Sequence, residues 1–259
     1  MLNFLKAISK FLSFLLPACL IGSFVSCHYR ALPPKMTHKA QEVDNDPVQT
    51  PTSRKPFTFS YKGTSYQVDP VFDYDISGII VSHNDITAFG DIYHDDKSVD
   101  TKDLCLLWGD NLAASTLSQS RFHNESVSCH VDRAPEDFRA DQFSNNHLVT
   151  NSDSVRRDID RVEVGDQVQI KGMLVNYYPA GMPDYSRNSS TTRTDTAGGA
   201  CEVVFVNSIR TLVHGDHKWI TRYTIFIGLF FWGLVIRFIL FCVIPYIEYK
   251  AINIERTKK

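Results

Sequence analysis

Val164-Gly165-Asp166-Gln167-Val168-Gln169-Ile170-Lys171-Gly172-Met173-Leu174-Val175 is the stretch whose reading decides the fold. A Gly-Asp turn launches it. Val168 and Ile170 then alternate with Gln169 and Lys171, which puts apolar side chains on one face of an extended chain, the signature of a half-buried strand. Gly172, in mid-strand, lets such a strand coil sharply. Working outward, residues 74–82, 103–108 and 126–131 read as earlier strands, and residues 201–212 as the last one. Between them, residues 134–143 carry Asp132 as an N-cap, Pro135 in the first turn and Glu136 and Asp137 near the start, which predicts a helix. The expected order is three strands, a helix and two strands.

That order, the interior Gly78 of the first strand, the phrase from Val164 to Gly172 and the closing Ile209-Arg210-Thr211-Leu212 resemble the OB-fold, a five-stranded Greek-key barrel. The resemblance implies a mostly β domain over residues 57–214: a small OB-like β-barrel with one helix. It also implies that the loop joining strands four and five flanks the ligand face. Here that segment, residues 177–200, is far longer than a hairpin needs.

The long loop is the sequence's main functional candidate. Arg187, Ser190, Thr191, Thr192, Arg193 and Asp195 offer cations, hydroxyls and a carboxylate suited to an anionic or hydroxyl-rich ligand. The competing reading is a solvated loop whose hydroxyls satisfy turns, with Arg193 and Asp195 as a local ion pair. On either reading the arginines are surface residues whose removal leaves stability nearly unchanged. A second polar cluster, Asp91, His94, Asp95, Asp96, Asp100 and Asp103, lacks the spacing of a calcium loop and reads as a solvated acidic loop. His83, His123 and His130 are scattered along the chain, so no metal and no cofactor are assigned. No G-x-S-x-G elbow, Walker loop or H-E-x-x-H run is present, and no catalytic residue is assigned.

Both ends are apolar. Residues 1–27 have Lys6 and Lys10 ahead of an apolar run and read as a signal peptide or signal anchor; the boxes ending at Cys19 and Cys27 loosely resemble lipidation sites. Residues 28–56, rich in Pro, Thr, Lys and Asp, read as a linker. Residues 223–247 are long enough to cross a bilayer, and the basic tail, residues 248–259, predicts a cytoplasmic C-terminus with the middle domain outside. Arg237 lies within this span, and two accounts of it stay open: a partner helix supplies a carboxylate or carbonyl, or the span ends near Arg237 and the rest lies along the interface.

In an extracytoplasmic domain disulfides persist, and Cys105–Cys129 is the expected bridge, leaving Cys201 reduced. With 43% hydrophobic and 22% charged residues and a net charge of -2, the chain is neither an acidic tail nor a basic nucleic-acid binder. The expected function is a membrane-anchored extracytoplasmic module that binds a membrane or envelope protein or a glycan as part of an envelope assembly. The alternative is an envelope hydrolase using the Arg193/Asp195 loop.

Overall fold

A computed structural model of the chain describes residues 1–30, 32–85, 98–125, 127–196 and 200–257. The chain forms two compact units, Pro33–Asp216 and a second made of Met1–Leu32 with His217–Lys259. In chain order the elements are α1 (Leu2–Arg30), β1 (Val48–Pro51), β2 (Phe57–Tyr61), β3 (Thr64–Asp85), β4 (Asp100–Leu107), α2 (Ala114–Gln119), β5 (Arg121–Glu125) and β6 (Ser128–Arg133). They continue with β7 (Phe143–Val149), α3 (Asp153–Arg161), β8 (Gln167–Pro179), β9 (Glu202–Val213) and α4 (Lys218–Thr257). The protein is therefore a sheet-rich central unit with an apolar helix at each end.

In the central unit, β3 runs antiparallel to both β4 and β8, β4 to β7, and β8 to β9, while β7 and β9 are parallel. The pairing path β3-β4-β7-β9-β8 thus returns to β3, and β1 and β2 add to the flank of that strand. Two glycines permit the close approaches this requires. A Cβ at Gly78 would lie 2.9 Å from the Leu107 carbonyl, and one at Gly172 would collide with the Phe205 carbonyl. Alternation sends Ile76, Ile80, Leu104, Leu106, Ile170 and Val204 to one buried cluster and Val68, Met173, Val175, Val203 and Phe205 to another, so these strands are apolar on both faces.

No α-helix forms over the expected residues 134–143. Those residues form turns and a single 3-10 turn at Ala140–Gln142, because Asn111 holds the Arg139 backbone from both sides, accepting its N–H at 2.8 Å and donating to its carbonyl at 2.6 Å. Helix α3 forms instead between β7 and β8. Ser152 caps it by accepting the Val155 N–H, Ile159 is fully buried, and Val155 and Val162 join the same core. At its other end the buried Lys102 ammonium donates to the carbonyls of Asp160 (3.2 Å) and Val162 (2.9 Å), placing a cation where the helix dipole is negative.

Residues 126–131 were expected to be the third strand of the main sheet. The strand found there, β6, pairs only with β5 in a separate two-stranded sheet, and β7 takes the third position. The expected linker is also folded in part. Val43 is fully buried, β1 pairs with β3, the Gln167 side chain accepts the Ala40 N–H at 2.8 Å and donates to the His38 carbonyl, and Trp108 donates to Asp46 at 3.1 Å. Composition hid these anchors because each is a side chain distant in sequence.

Cys105 and Cys129 form the disulfide, with a Cα–Cα separation of 5.9 Å. It links β4 to the β5–β6 hairpin, and Leu107, Leu112, Leu117, Phe122, Phe138 and Phe143 pack beside it. The outer face of β4 is thereby covered at this end.

Helices α1 and α4 are each long and apolar enough to cross a membrane. They pack antiparallel, from Lys6–Glu248 at one end (2.6 Å) to the stacked rings of Tyr29 and Trp219 at the other (4.4 Å). The buried stripe of α1, Leu12, Leu16, Cys19, Ser23 and Ser26, repeats at alternating steps of four and three residues, the spacing of a helix–helix seam. A Cβ on Gly22 would meet the Phe226 ring at 2.9 Å and one on Gly233 would meet Leu16 at 2.8 Å, the small-residue contacts expected where helices pack in lipid. Arg237 donates to the Ser9 carbonyl (3.3 Å) and the Ser13 hydroxyl (2.6 Å) of α1. A helix of the same chain thus offers it partners, and α4 continues as a helix through Pro245 to Thr257.

Cys19, Cys27, Cys201 and Cys242 are free. Labelling in denaturant without reductant should therefore modify four of the six cysteines, and all six after reduction. Closing a loop of 24 residues stabilises by ~3 kcal/mol, so Cys129→Ser should lower the unfolding midpoint in detergent measurably. A bridge to Cys201 on peptide mapping would contradict the strand placement.

Candidate functional site

Directly opposed positions of an antiparallel pair project to the same face, and Asp103 of β4 stands opposite His147 of β7. Their side chains meet at 2.7 Å, Asp103 Oδ1 to His147 Nδ1, with 1% and 4% of their surfaces exposed. Neither Asp103 oxygen is in hydrogen-bond geometry, so the contact is an ion pair held by proximity rather than by direction. Asn145, two residues along β7, places its amide 3.5 Å from His147 Nε2 and 3.5 Å from the Cys201 sulfur.

Arg187 enters from the loop between β8 and β9. Its backbone exchanges two hydrogen bonds of 2.9 Å with Tyr177 of β8, which fixes where the guanidinium arrives. The guanidinium lies 3.1 and 3.3 Å from the two ring nitrogens of His147 and 3.5 Å from Asp100, whose carboxylate also accepts the Tyr177 hydroxyl at 2.8 and 2.9 Å. Burial opposes protonation of His147, but the contacts with Asp103 and Cys201 and the charge of Asp103 outweigh it and lift the imidazole from 6.5 to about 9. At neutral pH the group is a charge-balanced set, His147 with Asp103 and Arg187 with Asp100.

The second arginine of the loop is also turned inward. Arg193 pairs with Glu202 at the start of β9, and its guanidinium lies over the Trp108 indole, 4.7 Å from the ring centroid. Glu202 is 2% exposed, and burial raises its carboxyl from 4.5 to about 7 against the opposing pull of Arg193. Asp195 instead accepts the Ser190 hydroxyl at 2.6 Å, so the local Arg193–Asp195 pair does not form. Thr191 and Thr192 are exposed, and the Thr191 carbonyl accepts from Gln49 at 2.8 Å.

The predicted site residues therefore divide. Arg187 and Arg193 are engaged by buried carboxylates, Ser190 and Asp195 by each other, and Thr191 and Thr192 face solvent. Of the acidic cluster, Asp100 and Asp103 belong to the buried network, while Asp91, His94, Asp95 and Asp96 lie outside the described residues. Sequence reasoning missed Asn145, His147, Tyr177, Cys201 and Glu202. The one available signal was the polar run Ser144-Asn145-Asn146-His147 inside what proves to be a strand.

Cys201, His147 and Asp103 stand in the order of nucleophile, base and orienting acid. Access decides against that use, because Arg187 lies across the imidazole and both His147 and Asp103 are sealed from solvent. A shallow cleft of about 240 Å³ opens beside β1, β3 and β8, below the ~300 Å³ usual for small-molecule pockets. Its charges are already paired, Arg54 with Asp73 at 2.9 Å and Lys171 with Asp75 at 3.0 Å. The loop tip is open, with Met182 55% and Tyr185 74% exposed.

Comparison with protein-family models, with curated proteins and with solved structures gives no match.

Without Arg193 the buried Glu202 carboxyl, already raised to about 7, must either take up a proton or remain as an uncompensated charge. Arg193→Ala should accordingly lower the unfolding free energy of the full chain in detergent, more at pH 9 than at pH 6, with Arg193→Ala/Glu202→Gln recovering part of the loss at the higher pH. Equal loss in the single and double variants would show that Glu202 is not the partner. For His147 the folded value lies above the ordinary one, so its contribution is complete below pH 6.5 and is lost as pH rises through about 9. Unfolding midpoints should fall across that window in the wild type and stay flatter in His147→Asn.

Proposed function

We propose that this chain is a membrane-anchored binding module: an OB-like Greek-key barrel held on the extracytoplasmic side, periplasmic in a bacterium, as part of an envelope assembly. The observation that carries the reading is the pairing of β3, β4, β7, β9 and β8 back to β3, with β7 and β9 parallel and α3 between β7 and β8 in the chain. OB barrels bind through the face of their second and third strands and the loops beside it. In this chain those strands correspond to β4 and β7. The disulfide-tethered hairpin and Arg187 occupy their outer face, which disfavours an oligonucleotide laid along it.

Among the described residues, the β8–β9 loop offers an open tip. Met182 and Tyr185 at its tip offer an apolar anchor and an aromatic ring, with the Thr191 and Thr192 hydroxyls further along. Aromatic and Met side chains are enriched in protein interfaces, so a protein of the envelope is the favoured partner over a glycan. Arg187 and Arg193 then act from beneath, holding the loop. The hydrolase alternative draws less support, since its Arg193 is committed to Glu202.

Antiparallel packing of α1 and α4 supports a double span with both termini on one side. Lys6, Lys10, Lys250 and Arg256 favour the cytoplasm for that side by the positive-inside rule. The hydrogen bonds from Arg237 to Ser9 and Ser13 support retention of α1, because cleavage after it would leave the guanidinium without them.

Reporter fusions after Thr150 and after Lys259 should report opposite compartments; the same compartment for both refutes the placement. A photo-cross-linker at the exposed Asp184 in native membranes should capture a discrete protein partner, and adding Met182→Ala/Tyr185→Ala should abolish capture with a stability change under ~0.5 kcal/mol. Retention of a glycan on an array, with no protein captured, would move the assignment to the glycan class.

A further inference from the structure

The β5–β6 hairpin carries a second constellation, separate from the buried network. His123 of β5 stands directly opposite His130 of β6, and their rings stack at 4.8 Å with an interplanar angle of 16°. Glu125, two residues from His123, projects to the same side, since alternate residues of a strand share a face. One ligand atom from each of His123, Glu125 and His130 can be chosen such that all lie within 4.8 Å of one another. The carboxylate of Asp132, two residues beyond His130, lies 2.7 Å from His123 Nδ1.

From this geometry we infer a divalent transition-metal site of the zinc–copper class, with His123, His130 and Glu125 as ligands. Imidazole nitrogens with one carboxylate suit zinc or copper rather than calcium or magnesium, which take oxygen ligands. The Asp132 contact is an independent indication. A metal-bound histidine donates its other ring N–H to a carboxylate, which fixes the tautomer and raises the basicity of the ligating nitrogen. With Nδ1 of His123 held by Asp132, Nε2 is the nitrogen left for the ion.

Tetrahedral zinc with bonds of ~2.0–2.1 Å needs ligand atoms ~3.3 Å apart, so small side-chain rotations must close the present spread. His130 Nε2 and Glu125 Oε2 are already at 4.0 Å. The side chains are free to make that adjustment, because His123, His130 and Glu125 are 46%, 45% and 75% exposed. The backbone beneath them is fixed, because Cys129, next to His130, is bridged to β4. Three protein ligands leave the fourth position open to water or to a group from a partner. Sequence spacing hid the site: His123 and His130 match no zinc motif, and the hairpin register alone brings them together.

The test is titration of Zn²⁺ and Cu²⁺ into the full chain in detergent, purified without a polyhistidine tag and stripped with chelator. Calorimetry should show one equivalent bound per chain. His123→Ala and His130→Ala should each weaken it at least tenfold, and Asp132→Asn should weaken it ~10–100-fold, the usual effect of losing such a supporting carboxylate. Electron paramagnetic resonance of the Cu²⁺ form supplies a readout independent of affinity: nitrogen coupling from two imidazoles, reduced to one in either histidine variant. Unchanged binding or an unchanged spectrum in both variants would overturn the assignment, as would a wild type that binds neither ion below millimolar concentration. Cys105–Cys129 mapping and melting of each variant separate loss of ligands from loss of the hairpin.

Discussion

Asn146–Val149 run parallel to Glu202–Phe205, and a parallel pair cannot be joined by a tight turn. The chain between them must therefore leave the sheet, return along β8 and come back once more. Helix α3 serves the first crossing, and residues 180–201 serve the second. This constraint also sets which side chains meet. It brings Asn145 and His147 of β7 to Cys201, and it sets Asn146 beside Glu202, so the polar face and both of its arginines follow from one pairing. The same pairing places the start of β9 where Arg193 can reach it from the loop.

Two arginines inserted between strands and loop would be costly if unpaired. Here Arg187 meets Asp100 and Arg193 meets Glu202, while His147, protonated at neutral pH, balances Asp103. The proposed binding role is consistent with this economy, because a loop held from beneath can present Met182 and Tyr185 with little freedom to lose on contact. The membrane unit follows a similar logic: Arg237, expensive in hydrocarbon, is satisfied by Ser9 and Ser13 of the neighbouring helix.

What was legible in the sequence was whatever alternation or composition writes locally. β3, β4, β8 and β9 announce themselves through Ile76, Leu104, Ile170 and Val204 and their alternating neighbours, and both terminal helices through long apolar runs, the second broken only by Arg237. β7 did not, because its positions Ser144, Asn145, Asn146 and His147 are polar yet buried, and the groups that Asn145, Asn146 and His147 meet, the Val127 and Leu104 carbonyls and Asp103, are ones that local pattern cannot name. Helix α3 was missed for a different reason: Val155, Ile159 and Val162 recur at helical spacing and Ser152 and Asp153 mark its start, but DSVRRDIDR is short and mostly charged, so its apolar stripe is narrow. The Cys105–Cys129 pair was readable, but its setting was not, since the bridge joins a sheet strand to a separate hairpin. The arginines of the loop were found as residues and misplaced as surface, because their carboxylate partners are assigned by the fold.

The pairing that returns the path to β3 is the most exposed point of this account, since without it the parallel strands and the loop above them lose their frame. Ser77 of β3 is aligned with Gln169 of β8. Disulfides form between residues whose Cα atoms lie ~4.4–6.8 Å apart, so oxidation of a Ser77→Cys/Gln169→Cys variant of the full chain should give an intramolecular bridge in high yield with the melting temperature kept or raised. A bridge that fails to form there, while Ser77→Cys pairs readily with a cysteine placed at Gly165 or at Lys171, would contradict the register and with it the closed pairing on which the rest is built.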